Sequence, residues 1–406
     1  MTQRYTPDPT RLDRIRPWMQ RYVDERKFAG SSLLITQSGD EVFFHAAGQR
    51  DIARSLPFQR DTIARIYSMT KPVTSVAIMM LVERGLFHLD APLSDFLPAY
   101  RDMQALIPGA TLIDQTEPCA TPTLHQLMTH TSGLSYPFNA GVLPRAMDEQ
   151  SLIFKPEQGV LGDVADRLAA LPLAFHPGTR WEYSVAIDVL GRVVEVVSGK
   201  SLAQFFTDEI FAPLKMTDTG FNDPDSDRFA TLYTPLSGDA MALNAAKSGG
   251  ETLRMVDEAA TSPFNESSMY SGGGGLVGTI DDYMRFIEML RRNGDCDGGR
   301  LLSRATVDFM RRNHLPGDIA SMGPKSFSEQ PMAGMGFGLG GSVVLEPALT
   351  CAPASVGDFS WGGMASTFFW LDRVQDLNVV FFTQLAPSSS YPARAELKAL
   401  IHGSLS

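Results

Sequence analysis

A serine and a lysine three residues apart, Ser68 and Lys71, stand at the head of an apolar run over residues 73–82 that is followed by Gly85. A run of that length and composition is a helix, and Gly85 is placed to end it. On a helix, positions i and i+3 share one face, so the Lys71 amine can reach the Ser68 hydroxyl and take its proton. Two features favour a neutral amine: the nearby helix N-terminus, whose dipole disfavours a cation, and burial in a cleft. Pro72 is compatible with a first turn, where backbone N–H groups have no intrahelical acceptor. Taken alone, the pattern equally describes a solvated lysine beside an N-cap serine. What else the chain supplies has to decide between them.

With 406 residues, of which 44% are hydrophobic and 20% charged, the chain can bury a large core. A formal net charge of -11 argues against nucleic acid or an anionic membrane surface as partner, because both require a basic face. Cys119, Cys296 and Cys351 are odd in number, widely separated and free of any C-x-x-C spacing, so neither a disulfide framework nor a zinc site is expected. The first sixteen residues are polar and charged, and no stretch offers about twenty uninterrupted apolar residues, so the expectation is a cytoplasmic protein without a membrane span.

Residues 10–27 carry apolar side chains at helical spacing, with Pro17 as a kink or restart, and residues 31–37 and 41–46 flank Ser38-Gly39-Asp40 as a hairpin. A capped helix is expected from Thr279, strands over 336–345, 365–371 and 378–385, and a last helix over 393–402. Between them, residues 86–265 shift to loops rich in Pro, Asp and Thr, broken by helical patterns at 185–197 and 202–211. Strands at both ends with helices between predict an α/β (α+β) domain from residues 1–85 and 266–406, holding an inserted, mostly helical lobe at 86–265. The cleft between the two is the place for a site.

Nucleophilic catalysis by Ser68 needs a second proton carrier, an oxyanion hole and a pocket. The segment 176–185 offers Tyr183, a phenol that could hold or relay the proton beside Ser68 and Lys71, although a tyrosine is as often a core aromatic. Trp361-Gly362-Gly363-Met364 leads into a strand, and paired glycines there let backbone approach a ligand, so the Met364 N–H could face an attacked carbonyl oxygen together with the Ser68 N–H. An ordinary Gly-Gly turn has the same sequence.

Ser68-x-x-Lys71, Tyr183-Ser184-Val185 and Trp361-Gly362-Gly363, in that order, resemble the three motifs of the serine β-lactamase and penicillin-recognising superfamily. The variant is similar to the class C-like enzymes called family VIII carboxylesterases, and residues 127–134, Pro177-Gly178 and the glycine run 272–275 resemble that family too. The resemblance spans about residues 11–402. It implies a class C β-lactamase-like fold with an antiparallel sheet flanked by helices. It also implies acylation of Ser68, proton transfer shared by Lys71 and Tyr183, and an oxyanion hole from the Ser68 and Met364 amides. Which of Lys71 and Tyr183 starts as the base stays open.

Two departures bear on substrate choice. Where β-lactamases of this type carry asparagine, this chain has Val185, and where they carry lysine it has Trp361. Both changes remove polar recognition of a β-lactam, so Trp361, Gly362, Gly363 and Val185 are expected to wall a pocket for small uncharged esters of short to medium acyl chains. The expected activity is carboxylic ester hydrolysis through an acyl-serine. Acyl transfer, weak β-lactamase or peptidase activity, and a non-catalytic binding descendant are the alternatives. No cofactor and no metal are expected, and the oligomeric state is open. Gly273-x-Gly275-x-x-Gly278 matches a dinucleotide fingerprint but lacks a clear preceding strand, so a glycine-lined cleft edge is expected instead. His125 and His130 have the wrong spacing for a metal pair on one helix face.

Overall fold

Three strand segments set the architecture through simple alternation. Leu33 and Ile35, Phe368 and Trp370, and Val379 and Phe381 point to one buried cluster, whereas Leu34, Phe369 and Leu371, and Val380 and Phe382 point to another. A sheet buried on both faces results, with period-two alternation sorting side chains between two cores. The computed structural model describes residues 4–157, 159–223, 225, 227–235 and 253–406.

The sheet has eight antiparallel strands: β1 (Gly30–Gln37), β2 (Asp40–Asp51), β3 (Leu56–Pro57), β4 (Met335–Phe337), β5 (Ser342–Val344), β6 (Phe359–Gly362), β7 (Phe368–Asp372) and β8 (Leu377–Thr383). Their order is β4-β5-β6-β7-β8-β1-β2-β3. The β8–β1 ladder, running from Ser31 opposite Thr383 to Gln37 opposite Leu377, joins the two ends of the chain in the middle of the sheet.

Five helices matter to the site: α1 (Ile15–Asp24), α2 (Thr70–Glu83), α3 (Ala186–Ser198), α4 (Ile280–Arg291) and α5 (Ala393–His402). One sheet face packs on α1 and α5 through Ile15, Trp18, Met19, Leu397 and Ile401. The other faces α2 and α4. Every residue from Thr70 to Leu81 is buried, which makes α2 a central helix enclosed on all sides and explains why its sequence lacks a polar face.

Several expectations need adjustment. Residues 10–27 form a short helix, Pro9–Leu12, and then α1, with Pro17 tolerated in its first turn. The second hairpin strand extends to Asp51. Residues 336–345 are not one strand but the hairpin β4–β5, because Gly338 to Gly341 turn the chain, Gly340 at φ +103. The strand expected from Ala365 begins at Phe368, since residues 363–366 form a turn with Ser366 N–H donating to the Gly363 carbonyl at 3.1 Å. Residues 202–211 split into Leu202–Phe206 and a π-helical turn, Thr207–Phe211. The described part of 86–265 holds short helices together with two small ladders, Gln104–Leu106 with Thr116–Pro118 and Leu232–Thr234 with Arg254–Asp257. Residues 236–252 of that stretch lie outside the described residues.

Candidate active site

Ser68 does not sit inside α2 but in the single 3-10 turn, Tyr67–Met69, that feeds it. Tyr67 takes a left-handed conformation, φ +42, a costly state for a bulky side chain that sharpens the turn directly before Ser68. The turn is held from two sides. The Ile66 N–H donates to Leu276 O at 3.1 Å, and the Ile66 carbonyl accepts the Met69 N–H at 3.0 Å and faces Gly363 of the strand-end turn. A Cβ at Gly363 would collide with Ile66 O and Thr367 Oγ1, so only glycine lets the two backbones meet here.

Lys71 is buried at the base of the site. Its Nζ contacts Gly273 O at 2.7 Å, Tyr136 Oη at 3.0 Å and Ser68 Oγ at 3.1 Å. Gly273 O can only accept, so a neutral amine that donates to Gly273 O and Tyr136 keeps its lone pair for the Ser68 hydroxyl. Burial lowers Lys71 to about 7, with the Asp188 carboxylate pulling the other way. Tyr183 Oη lies 2.6 Å from Ser68 Oγ, and burial holds its phenol well above the ordinary range. The expected tyrosine and lysine thus converge on the expected serine, with Lys71 Nζ 4.6 Å from the centre of the Tyr183 ring.

Met364 follows the glycine pair at the strand end and lines the same cavity as Ser68. Its amide has no hydrogen-bond partner among the described residues. The cavity, about 740 Å³, is walled by Trp361, Gly362 and Gly363 together with Tyr136, Phe138, Phe154, Phe264 and Phe327. Trp361 stacks at 6.0 Å on Phe327 and lies 5.4 Å from the Tyr183 ring. Val185 departs from expectation. It is fully buried, does not line the cavity, and starts α3 with its side chain in the core; its N–H donates to Ser135 O at 3.2 Å.

Sequence reasoning missed two groups. Tyr136, two residues beyond the Leu134 that closes the 127–134 stretch, reaches Lys71, and Asp188 on α3 approaches Tyr136 from below. Asp188 Oδ1 accepts the Ser271 hydroxyl at 2.5 Å and the Gly273 N–H at 3.0 Å. Burial raises its carboxyl, while Lys71 and these donors oppose the rise. The glycine run explains itself here: a Cβ on Gly273 would strike the Asp188 carboxylate, and Gly273 and Gly274 line the cavity. Thr74 Oγ1 donates to Gly272 O at 2.6 Å, docking the run on α2. A carboxylate in the first turn of an apolar helix is also what the helix dipole favours, so no local pattern singled out Asp188. The histidines are structural: His125 Nε2 meets His314 Nδ1 at 3.0 Å, and His130 Nδ1 meets Ser184 Oγ at 3.1 Å.

The Beta-lactamase family model matches residues 15–403. The chain is 34% identical to Protein Rv1367c of Mycobacterium tuberculosis over 392 residues, covering 95% of this chain and 92% of that protein. It is 31% identical to Esterase EstB of Burkholderia gladioli over 385 residues, covering 93% and 90%. Among solved structures, EstCE1, a hydrolase with promiscuous acyltransferase activity, superposes with a TM-score of 0.79 at 28% identity, covering 98% of both chains.

Proposed function

The chain belongs to the Beta-lactamase family, and from that premise we propose that it is a serine hydrolase that cleaves carboxylic esters through an acyl-Ser68 intermediate, a carboxylesterase of the family VIII kind. The observation that carries this reading is the convergence of Lys71 Nζ and Tyr183 Oη on Ser68 Oγ, at 3.1 and 2.6 Å, beneath an aromatic cavity.

Lys71 is the starting base. Its amine is held near 7 by burial, so much of it is unprotonated at neutral pH, whereas the raised Tyr183 phenol keeps its proton. Ser68 Oγ attacks the ester carbonyl carbon as its proton passes to Lys71, and the carbonyl oxygen becomes an oxyanion facing the Ser68 and Met364 amides. On collapse the C–O bond to the alcohol breaks, the alkoxide takes the Tyr183 proton, and the Lys71 ammonium restores that proton through the hydroxyl network. Water then attacks the acyl-serine as the same pair takes its proton, the bond to Ser68 Oγ breaks with that proton returned to the oxygen, and the acid is released. Tyr136 and the Gly273 carbonyl hold Lys71 in place, and Asp188 braces both through its bonds to Tyr136 and the Gly273 N–H.

Acyl transfer is the second reading, supported by likeness to EstCE1, whose described activity includes it; an alcohol or amine would replace water in the last step. The experiment compares p-nitrophenyl esters of increasing chain length with a chromogenic cephalosporin, with Ser68→Ala as control. Ester cleavage that exceeds cephalosporin turnover and vanishes in Ser68→Ala supports the proposal. Efficient cephalosporin turnover with little ester cleavage overturns it.

A further inference from the structure

Outside the cavity, three side chains with metal-ligand chemistry meet where the C-terminal helix crosses the sheet. Asp358 immediately precedes β6 and Asp372 ends β7, and since Phe359 pairs with Leu371 the two carboxylates are neighbours across the ladder. α5 adds His402 in its last turn and Lys398 one turn earlier. Ligand atoms of Asp358, Asp372 and His402 lie within 4.8 Å of one another.

Most of this cluster's polar atoms are satisfied. Asp372 Oδ1 accepts the Val374 and Gln375 N–H groups at 2.8 and 3.0 Å, and Oδ2 accepts the Ser355 hydroxyl at 2.7 Å. Asp358 Oδ2 accepts from the Lys398 ammonium at 3.4 Å. Two atoms are left: Asp358 Oδ1, on a residue with 0% exposure, and His402 Nε2, both buried and without a partner. Each such orphan costs about 1–3 kcal/mol. The two do not hydrogen-bond to each other, and with the imidazole proton on Nδ1 both offer lone pairs that one cation satisfies. Two carboxylates against one ammonium also leave a negative charge uncompensated.

We propose that Asp358, Asp372 and His402 bind a divalent transition-metal ion of the zinc type, clasping α5 to β6 and β7. One imidazole nitrogen and two carboxylates suit zinc rather than magnesium or calcium, which take oxygen ligands. Ligand bonds of about 2.0–2.2 Å require the three side chains to close in from their present separations of up to 4.8 Å. Lys398 retains Asp358 Oδ2 while the ion takes Oδ1. His402 also lines an open surface hollow of about 630 Å³ with Ser355 and Gln375, which gives the ion a way in. β6 carries Trp361 and Gly362, so the clasp braces the strand that walls the cavity.

The test uses the full chain stripped with a chelator, then dialysed against micromolar zinc, with bound metal measured by mass spectrometry and Tm by calorimetry. The expected result is one zinc per chain, a Tm raised by several degrees, and an affinity about tenfold or more weaker in His402→Gln. His402 is only partly buried, so that variant should fold, and its metal-free Tm checks this. Cys351→Ser, at the rim of the same hollow, should bind zinc as wild type does. The proposal is overturned by no stoichiometric binding, by binding unchanged in His402→Gln, or by binding lost in Cys351→Ser. A Tm indifferent to zinc means that a proton shared between Asp358 and His402 satisfies both orphans, and the proposal fails.

Discussion

Lys71 is useful as a base only when it is unprotonated, and burial brings that transition to about 7. Below it the amine carries a proton and cannot accept another from Ser68. Accordingly, kcat/KM for an uncharged ester should rise with pH through about 7 and then level. Asp188 favours the ammonium, so Asp188→Asn, which keeps an acceptor for Ser271 and Gly273, should shift this rising limb to lower pH. A limb that stays in place or moves upward contradicts the assigned role. Tyr183→Phe deletes the group 2.6 Å from Ser68 Oγ and should lower kcat by about 10²–10⁴-fold with KM little changed; steady-state kinetics decide. Ser68, Lys71 and Tyr183 could be proposed from sequence because their spacing and order carry a recognisable chemical logic. Tyr136 and Asp188 could not, because their meaning lies in meeting Lys71 and the Gly273 backbone across about 65 to 85 residues of sequence.

At the scale of elements, the turn before α2 and the turn after β6 must touch, and Gly363 is what allows it. Gly363→Ala should cost about 1–3 kcal/mol by forcing Ile66 O and Thr367 apart. It should also reduce activity more than that stability loss explains, since the Ser68 and Met364 amides proposed as the oxyanion hole lie on these turns. Thr279 is the contrast. Its hydroxyl caps α4 by accepting the Asp282 N–H at 3.4 Å, so Thr279→Ala should cost about 1 kcal/mol in denaturant unfolding and leave kcat unchanged. That cap, the β1–β2 hairpin and α5 were all readable, because caps, turn residues and periodicity act within a few residues. The β4–β5 hairpin was not, since its glycines interrupt an apolar run without the usual two-residue turn signal. Val185 shows the converse: a residue two places after Tyr183 in sequence that helix geometry turns into the core.

At the scale of the whole molecule, the sheet is complete only when β8 meets β1, so the proposed nucleophile Ser68, early in the chain, depends on strands made last. α5 completes the outer face through Leu397 and Ile401, packed with Leu12, Ile15 and Trp18. Leu397→Ala should therefore destabilise the entire fold by about 2–5 kcal/mol, measured as a lower denaturant midpoint for a single transition. Strands at both ends and helices between were visible in the sequence, but the strand order was not, because register depends on partners hundreds of residues away. Everything this architecture achieves converges on Ser68 Oγ, and the covalent intermediate tests that directly. Wild type quenched during turnover of a p-nitrophenyl ester should show, by intact-mass spectrometry and peptide mapping, one acyl group on Ser68, and Ser68→Ala should show neither adduct nor turnover. An acyl group mapped to another residue, or ester cleavage that persists in Ser68→Ala, would contradict the account.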